Sequence, residues 1–363
     1  MRFRFDPLRT QSNEMLRLDF LRFVAACGVM WHHSHEFLFP PAVRAQAVSH
    51  TFGQVMLVDL FFVISGFVIA TVYSDRINSL GDFSRFMQRR IGRLVPLHWL
   101  TFIVAAALWT MVKRAGFAAD HAPDMSVACM VKTFFLLQSL SPCTGGPSLN
   151  GVTWSISTEM MLYLSFPLTL LVARSRAVLT AVFAVTLGYL LVLHAHGVSW
   201  HQLPFIGRGV PMFVFGVFLY SVRDSLRPLR LGSWPMLAAM FAMLAAMMIG
   251  ADERLILALI LLTATLGVAA DMHAPPGRGL TLLAPLGQLT YSIYMWHSLI
   301  VIVLLNALAD KLLKLSTLPM IGAMVATYAV IFAVSYLSWT LIETPARRWV
   351  DRLPLVPKKR AVH

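Results

Sequence analysis

The feature that most restricts this chain is a series of apolar blocks, each roughly 20 residues long, separated by short polar or basic segments. A helix of that length crosses ~30 Å of hydrocarbon. The blocks do not alternate apolar and polar residues as barrel strands do, so only helices can pair every backbone N–H and C=O in lipid. The blocks fall at roughly 18–39, 55–74, 94–113, 152–172, 177–195, 205–222, 232–249, 254–270, 287–308 and 319–341. They predict an all-α polytopic integral membrane protein of about ten transmembrane helices. Composition agrees: 58% of the 363 residues are hydrophobic, 13% are charged, and mean hydropathy is +0.69. A water-soluble domain carries about twice that charged fraction.

A net charge of +13 would suit nucleic acid, but the charges are distributed otherwise. If the N-terminus is inside, 21 of the 30 Lys and Arg lie in inner segments, among them Arg76, Arg174, Arg223 and Arg347. Eight lie outside, and Arg22 lies within the first span. This is the asymmetry of a cytoplasmic face, so both termini are expected inside and no nucleic-acid partner is expected. The organisation read from this is a cytoplasmic segment over 1–17, one membrane domain over 18–348 and a basic cytoplasmic tail over 349–363. The first 17 residues are polar and basic, and the following apolar stretch is too long for a cleaved leader and lacks a small-residue cleavage site. The longest outer segment, 114–151, reads as a short interfacial helix within Val127–Leu140 followed by the turn-rich SPCTGGPSLNG. Cys129 and Cys143 both fall there; an oxidising compartment would let them pair as a staple, and the sequence leaves the pairing open.

Ionisable groups inside spans are costly and mark function by default. Arg22 and His33 are eleven residues apart, three helical turns plus about 20°, so they share one helix face at ~16 Å separation. By the same arithmetic Asp59, Glu159 and His33 lie ~6–10 Å below the outer ends of their spans, in one depth band. A carboxylate there can orient an imidazole and raise its basicity. Ser155, Glu159 and Tyr163 repeat at i, i+4, i+8 as a polar stripe facing the bundle interior. His297 lies near mid-depth in the ninth span. Arg89, Arg90 and Arg93 cluster at the inner mouth, where fixed guanidiniums suit phosphate. Each has a bland reading too: positive-inside arginines, a hydrogen-bonded interior histidine, or Asp59 and Glu159 paired with Arg208 or other arginines. His32 and Glu36 have a ligand spacing, but no second pair joins them and no metal is expected.

Six segments in order resemble the acyltransferase family 3 membrane proteins, which acylate bacterial surface and exported polysaccharides. RLDFLRFVAACGVMWHH is similar to the family's LDGLRGxAxxxVxxxH, with Arg22 and His33 on its R-x10-H pair, Phe20 in place of a glycine and an additional His32. VDLFFVISGFVIA, with Asp59, Ser65 and Gly66, resembles the FFxxSGF segment. FMQRRIGRLVPLHW resembles the RRxxR segment, with His98 where Tyr is common. NGVTWSISTEMMLYLSFP resembles the block that places Trp154, Ser155, Glu159 and Tyr163. GQLTYSIYMWHSL and LIETPARRW resemble the last two, with Thr290 replacing a serine. The resemblance implies an acyl-CoA co-substrate on the cytoplasmic side, commonly acetyl-CoA, with no permanently bound cofactor. It implies a carbohydrate hydroxyl acceptor, His33 as essential base or relay, and Arg22 as its companion, in a bacterial inner membrane.

The expected catalytic residues are therefore His33, Arg22, Glu159 and Asp59. Arg89, Arg90 and Arg93 are expected to hold the nucleotide phosphates, and Trp154, Ser155, Tyr163 and His297 to line the substrate path. Direct transfer and an acyl-histidine intermediate both fit. A transporter or flippase of a glycan or small anion, or an export subunit, would use the same polar residues without releasing free CoA thiol.

Overall fold

The computed structural model describes residues 15–116, 122–273 and 277–353. Residues 1–14 of the expected N-terminal segment and 354–363 of the basic tail lie outside them. Among the described residues there is no strand. In chain order the helices are α1 (Leu16–His32), α2 (Pro41–His50), α3 (Leu57–Tyr73), α4 (Leu80–Arg114), α5 (Val127–Phe134), α6 (Trp154–Leu164) and α7 (Phe166–Ala173). They continue with α8 (Arg176–Ala195), α9 (Phe205–Leu226), α10 (Ser233–Met248), α11 (Glu253–Asp271) and α12 (Arg278–Leu283). The last three are α13 (Thr290–Val301), α14 (Thr317–Ser338) and α15 (Thr344–Arg352). Two π-helical stretches, Ile302–Leu312 and Trp339–Glu343, extend α13 and α14.

Seven helical stretches are long and apolar enough to cross a membrane, and eight if the bent pair α6–α7 counts as one span. The chain is thus an all-helical polytopic membrane protein. Every one of the ten predicted blocks coincides with a helix, but α1 and α10 have only 17 and 16 residues. Both are shorter than the ~20 residues that cross the core unaided. The α6–α7 bend of 56° falls at Ser165, immediately before a turn carrying Pro167, whose missing N–H interrupts the helical ladder.

Local sequence explains several helix starts. Ser79 accepts the backbone N–H of Asp82 at the head of α4, and Ser126 does the same for Cys129 at the head of α5. The N-terminus of α1 is capped from a distance: Asp271, at the end of α11, accepts the N–H groups of Arg17 and Leu18 and pairs with the Arg17 guanidinium at 3.2 Å. The centre of the bundle is the α3–α9 contact. Gly66 faces the Phe213 carbonyl and Gly216 the Val63 carbonyl, so closely that a Cβ at either would collide with backbone. In lipid, where apolar faces gain little from meeting, such close approach supplies the packing. The segment predicted to be outer contains the short helix α5, and in it Cys129 and Cys143 are joined by a disulfide.

Candidate active site

The first candidate residue stands where α1 stops. His33 is the C-cap of α1, and its two chain neighbours are anchored: Ser34 bonds the Tyr328 hydroxyl at 2.6 Å, and His35 bonds Thr51 Oγ1 through Nε2 at 2.7 Å. Ser34 and His35 are buried, whereas His33 is exposed. The turn therefore fixes the backbone and leaves one imidazole projecting. It projects into a cavity, on the side that the charge distribution predicts to be outer, lined by His32, His33, Trp154, Gly151 and Tyr294. Trp154 is held from behind by a stack on Phe205 at 4.7 Å and by the Arg208 guanidinium over its face at 5.2 Å.

A second cavity, on the side predicted to be inner, is lined by Arg22, Arg90, Arg93, Ser155, Glu159 and Tyr163, together with Ser65 and Tyr291. Val58 and Tyr294 belong to both walls, so the two cavities meet at those side chains. Arg22 and His33, three turns apart on one face, thus serve successive cavities. The polar stripe on α6 has its three members in the inner wall. Glu159 Oε1 accepts from Ser65 Oγ at 2.9 Å and from the Tyr163 hydroxyl, and Ser155 Oγ donates to the Tyr294 hydroxyl at 2.8 Å. Arg90 lies against the rings of Tyr73, Phe86 and Tyr163 at 5.3–5.7 Å and donates to the Tyr73 hydroxyl at 3.1 Å. Arg22 faces Asp19 at 3.7 Å. Arg93 feels the charges of Glu159, Glu343 and Asp19. Arg89 is exposed and forms no part of either wall.

The contact expected between His33 and a carboxylate does not form among the described residues. Asp59 is fully buried, and its Oδ2 accepts from Trp200 Nε1 at 2.7 Å and from Arg208 at 3.0 Å. Glu159 is engaged with Ser65 and Tyr163 in the inner cavity. A common depth says nothing of the direction in which each helix turns its residue, and these three point to three places. Two rings lie beside His33: that of its chain neighbour His32, with centroids 5.1 Å apart, and that of His297 on α13, 5.2 Å apart.

Three residues that sequence reasoning did not assign to the site belong to its surroundings. Tyr294 sits between the cavities and lies three residues before His297, on the same face of α13. Glu343, buried at the end of the second π-helical stretch, accepts from Ser292 at 3.1 Å. Asp19 lies one turn before Arg22.

A family description, the acyltransferase domain (acyltransferase 3), matches residues 15–340. The chain is 29% identical to the exopolysaccharide production protein ExoZ of Rhizobium meliloti (strain 1021) over 84% of this chain and 90% of that one. It is 27% identical to the putative membrane-bound transacylase BcsY of Komagataeibacter xylinus, over 84% and 79%. Over a shorter part, 35% of this chain and 22% of the other, it is 32% identical to the putative peptidoglycan O-acetyltransferase YrhL of Bacillus subtilis (strain 168). No solved structure matches the chain. With the family matched from before the first cavity residue to the last long helix, this chain belongs to the acyltransferase 3 family of membrane acyltransferases.

Proposed function

We propose that the protein moves an acyl group, most simply acetyl, from cytoplasmic acyl-CoA to a hydroxyl of an exported or cell-surface glycan. The observation that carries this reading is the pair of cavities meeting at Val58 and Tyr294, one lined by arginines and the other presenting His33. A donor with a polyanionic handle and a reactive thioester has that same polarity. The basic inner segments support a bacterial inner-membrane protein of ten spans with both termini cytoplasmic, which puts the arginines on the side where acyl-CoA is made. The names of ExoZ and YrhL, one for exopolysaccharide production and one for peptidoglycan O-acetylation, support a glycan acceptor.

In this reading Arg90 and Arg93 hold donor phosphates, with Arg89 at the approach, and Arg22 stands nearer the thioester. His33 takes the proton of the sugar hydroxyl as the oxygen attacks the thioester carbonyl. The C–S bond breaks, and the same proton passes to the departing thiolate. Trp154 offers the acceptor ring an aromatic face, and the Ser155 and Tyr294 hydroxyls stand where the two substrates meet. Vesicles of the source organism given labelled acetyl-CoA test this. The expected result is label in the glycan fraction with release of free CoA thiol in wild type, and neither with His33→Ala. Equal labelling in both would remove His33 from the chemistry.

A further inference from the structure

Among the described residues no carboxylate orients His33, yet a base that ends by donating its proton needs a fixed tautomer. The group in position to set it is on α13. His297 is fully buried, and its Nδ1 lies 3.2 Å from the Ile293 carbonyl. A carbonyl only accepts, so Nδ1 carries the hydrogen, and in the neutral ring Nε2 is a bare lone pair. That Nε2 is buried and has no hydrogen-bond partner among the described residues. The nearest ring is His33, at a centroid separation of 5.2 Å and a tilt of 40°. Two imidazoles joined by one N–H···N bond of ~3 Å have their centroids about 5 Å apart, so a small ring rotation makes the bond. The other hydroxyl close by, that of Tyr294, is already directed at the Val152 carbonyl and receives the Ser155 hydroxyl.

We propose that His297 is the positioning residue for His33: its Nε2 accepts the His33 ring N–H, which leaves the opposite His33 nitrogen as the base aimed into the outer cavity. This rests on the acyl-transfer reading above and adds a second imidazole to it. When His33 takes the hydroxyl proton, the positive charge that forms is shared through the N–H···N bond with His297. When the C–S bond has broken, the proton leaves His33 for the thiolate and the pair returns to two neutral rings. His297 therefore touches neither substrate.

The experiment uses the full chain in vesicles of the source organism, with labelled acetyl-CoA as the varied donor and the vesicles' own glycan as acceptor. Maximal rate is normalised to immunoblotted protein. His297→Leu should lower the maximal rate by roughly tenfold or more and leave the apparent KM for acetyl-CoA within about twofold. His297→Gln, whose side-chain oxygen falls near the place of Nε2, should recover most of the rate. His297→Asn, whose shorter amide reaches only the place of Nδ1, should not. The Gln and Asn comparison decides the matter even if His297→Leu fails to accumulate. Equal rates for Gln and Asn at equal protein, or a wild-type rate for Leu, would overturn the role of His297 alone. Absence of His33-dependent label in the wild type would overturn the acyl-transfer reading and this inference with it.

Discussion

Asp59 and Arg208 offer a sharp test of which buried charges hold the bundle together and which do chemistry. Asp59 on α3 and Arg208 on α9 meet at 3.0 Å with side chains that are essentially inaccessible. At that distance and an effective dielectric of ~20 their attraction is about 5 kcal/mol. Desolvation of both groups offsets most of it, so the intact pair contributes little net stability. Removing one member leaves a buried charge uncompensated, which costs about 3–5 kcal/mol. Asp59→Asn and Arg208→Met should therefore each lower the melting temperature of the detergent-solubilised protein by several degrees. The double variant should regain most of the loss, because no lone charge remains and the amide oxygen that replaces the carboxylate still accepts from Trp200. Acyl transfer per folded molecule should follow the same pattern, with the double variant near wild type. Tryptophan-fluorescence melting and the vesicle labelling assay read both quantities. A double variant that melts like wild type yet transfers no label would refute the structural assignment and return Asp59 to the reaction.

Two further outcomes probe other parts of the fold. Gly216→Ala puts a Cβ against the Val63 carbonyl and should destabilise the α3–α9 contact by about 1–3 kcal/mol, whereas Gly279→Ala, with nothing near its Cβ position, should melt as wild type does. In the outer loop the backbone N–H groups of Ser126 and Gly145 hold the Asp124 carboxylate below its usual range; a depressed carboxylate stabilises above the ordinary carboxylate range and loses that effect as pH falls through its own lower value. Protease nicking of the 122–150 loop should therefore rise on acidification below that range in wild type and should show no such pH step in Asp124→Asn.

The parts of this architecture legible in the sequence are those governed by one helix at a time. Block length located the helices, and the three-turn spacing of Arg22 and His33 put both on a face that lines cavities. The i, i+4, i+8 stripe of Ser155, Glu159 and Tyr163 points into the bundle because one polar face on an apolar helix has nowhere else to go. What could not be read is the rotation of one helix relative to another. Asp59 turns toward Trp200 and Arg208, which lie 141 and 149 residues away in the chain, and no spacing within α3 reveals that. Block length also overstated the reach of α1, whose predicted block runs on through His33–Phe39 after the α-helix has ended at His32. Tyr294 was findable, since it stands three residues before His297 on a helix already marked as polar. Glu343 was findable only through the resemblance of LIETPARRW, since nothing in the spacing of its own helix marks it as facing Ser292.

The three arginines of the inner cavity are not equivalent, and their differences bear on how a donor would enter. Arg22 has Asp19 beside it, and Arg93 lies in the field of Glu159 and Glu343, so an arriving phosphate competes there with carboxylates already in place. Arg90 instead leans on Tyr73, Phe86 and Tyr163. Ring faces attract a guanidinium without neutralising it, so Arg90 keeps its full charge for an anion. In the proposed reaction the first phosphate contact therefore belongs to Arg90. The thioester arm then extends past Ser65 and Ser155 to the junction at Val58 and Tyr294. Those two side chains line both cavities, and in the proposed reaction the acyl group is handed to the acceptor hydroxyl there. A wide aqueous path at that point would expose the thioester to hydrolysis and the membrane to proton leakage. In the proposed reaction the phosphates stay with the arginines and the acceptor with His33, so only the acyl group and the proton returned to the thiolate cross between the two cavities.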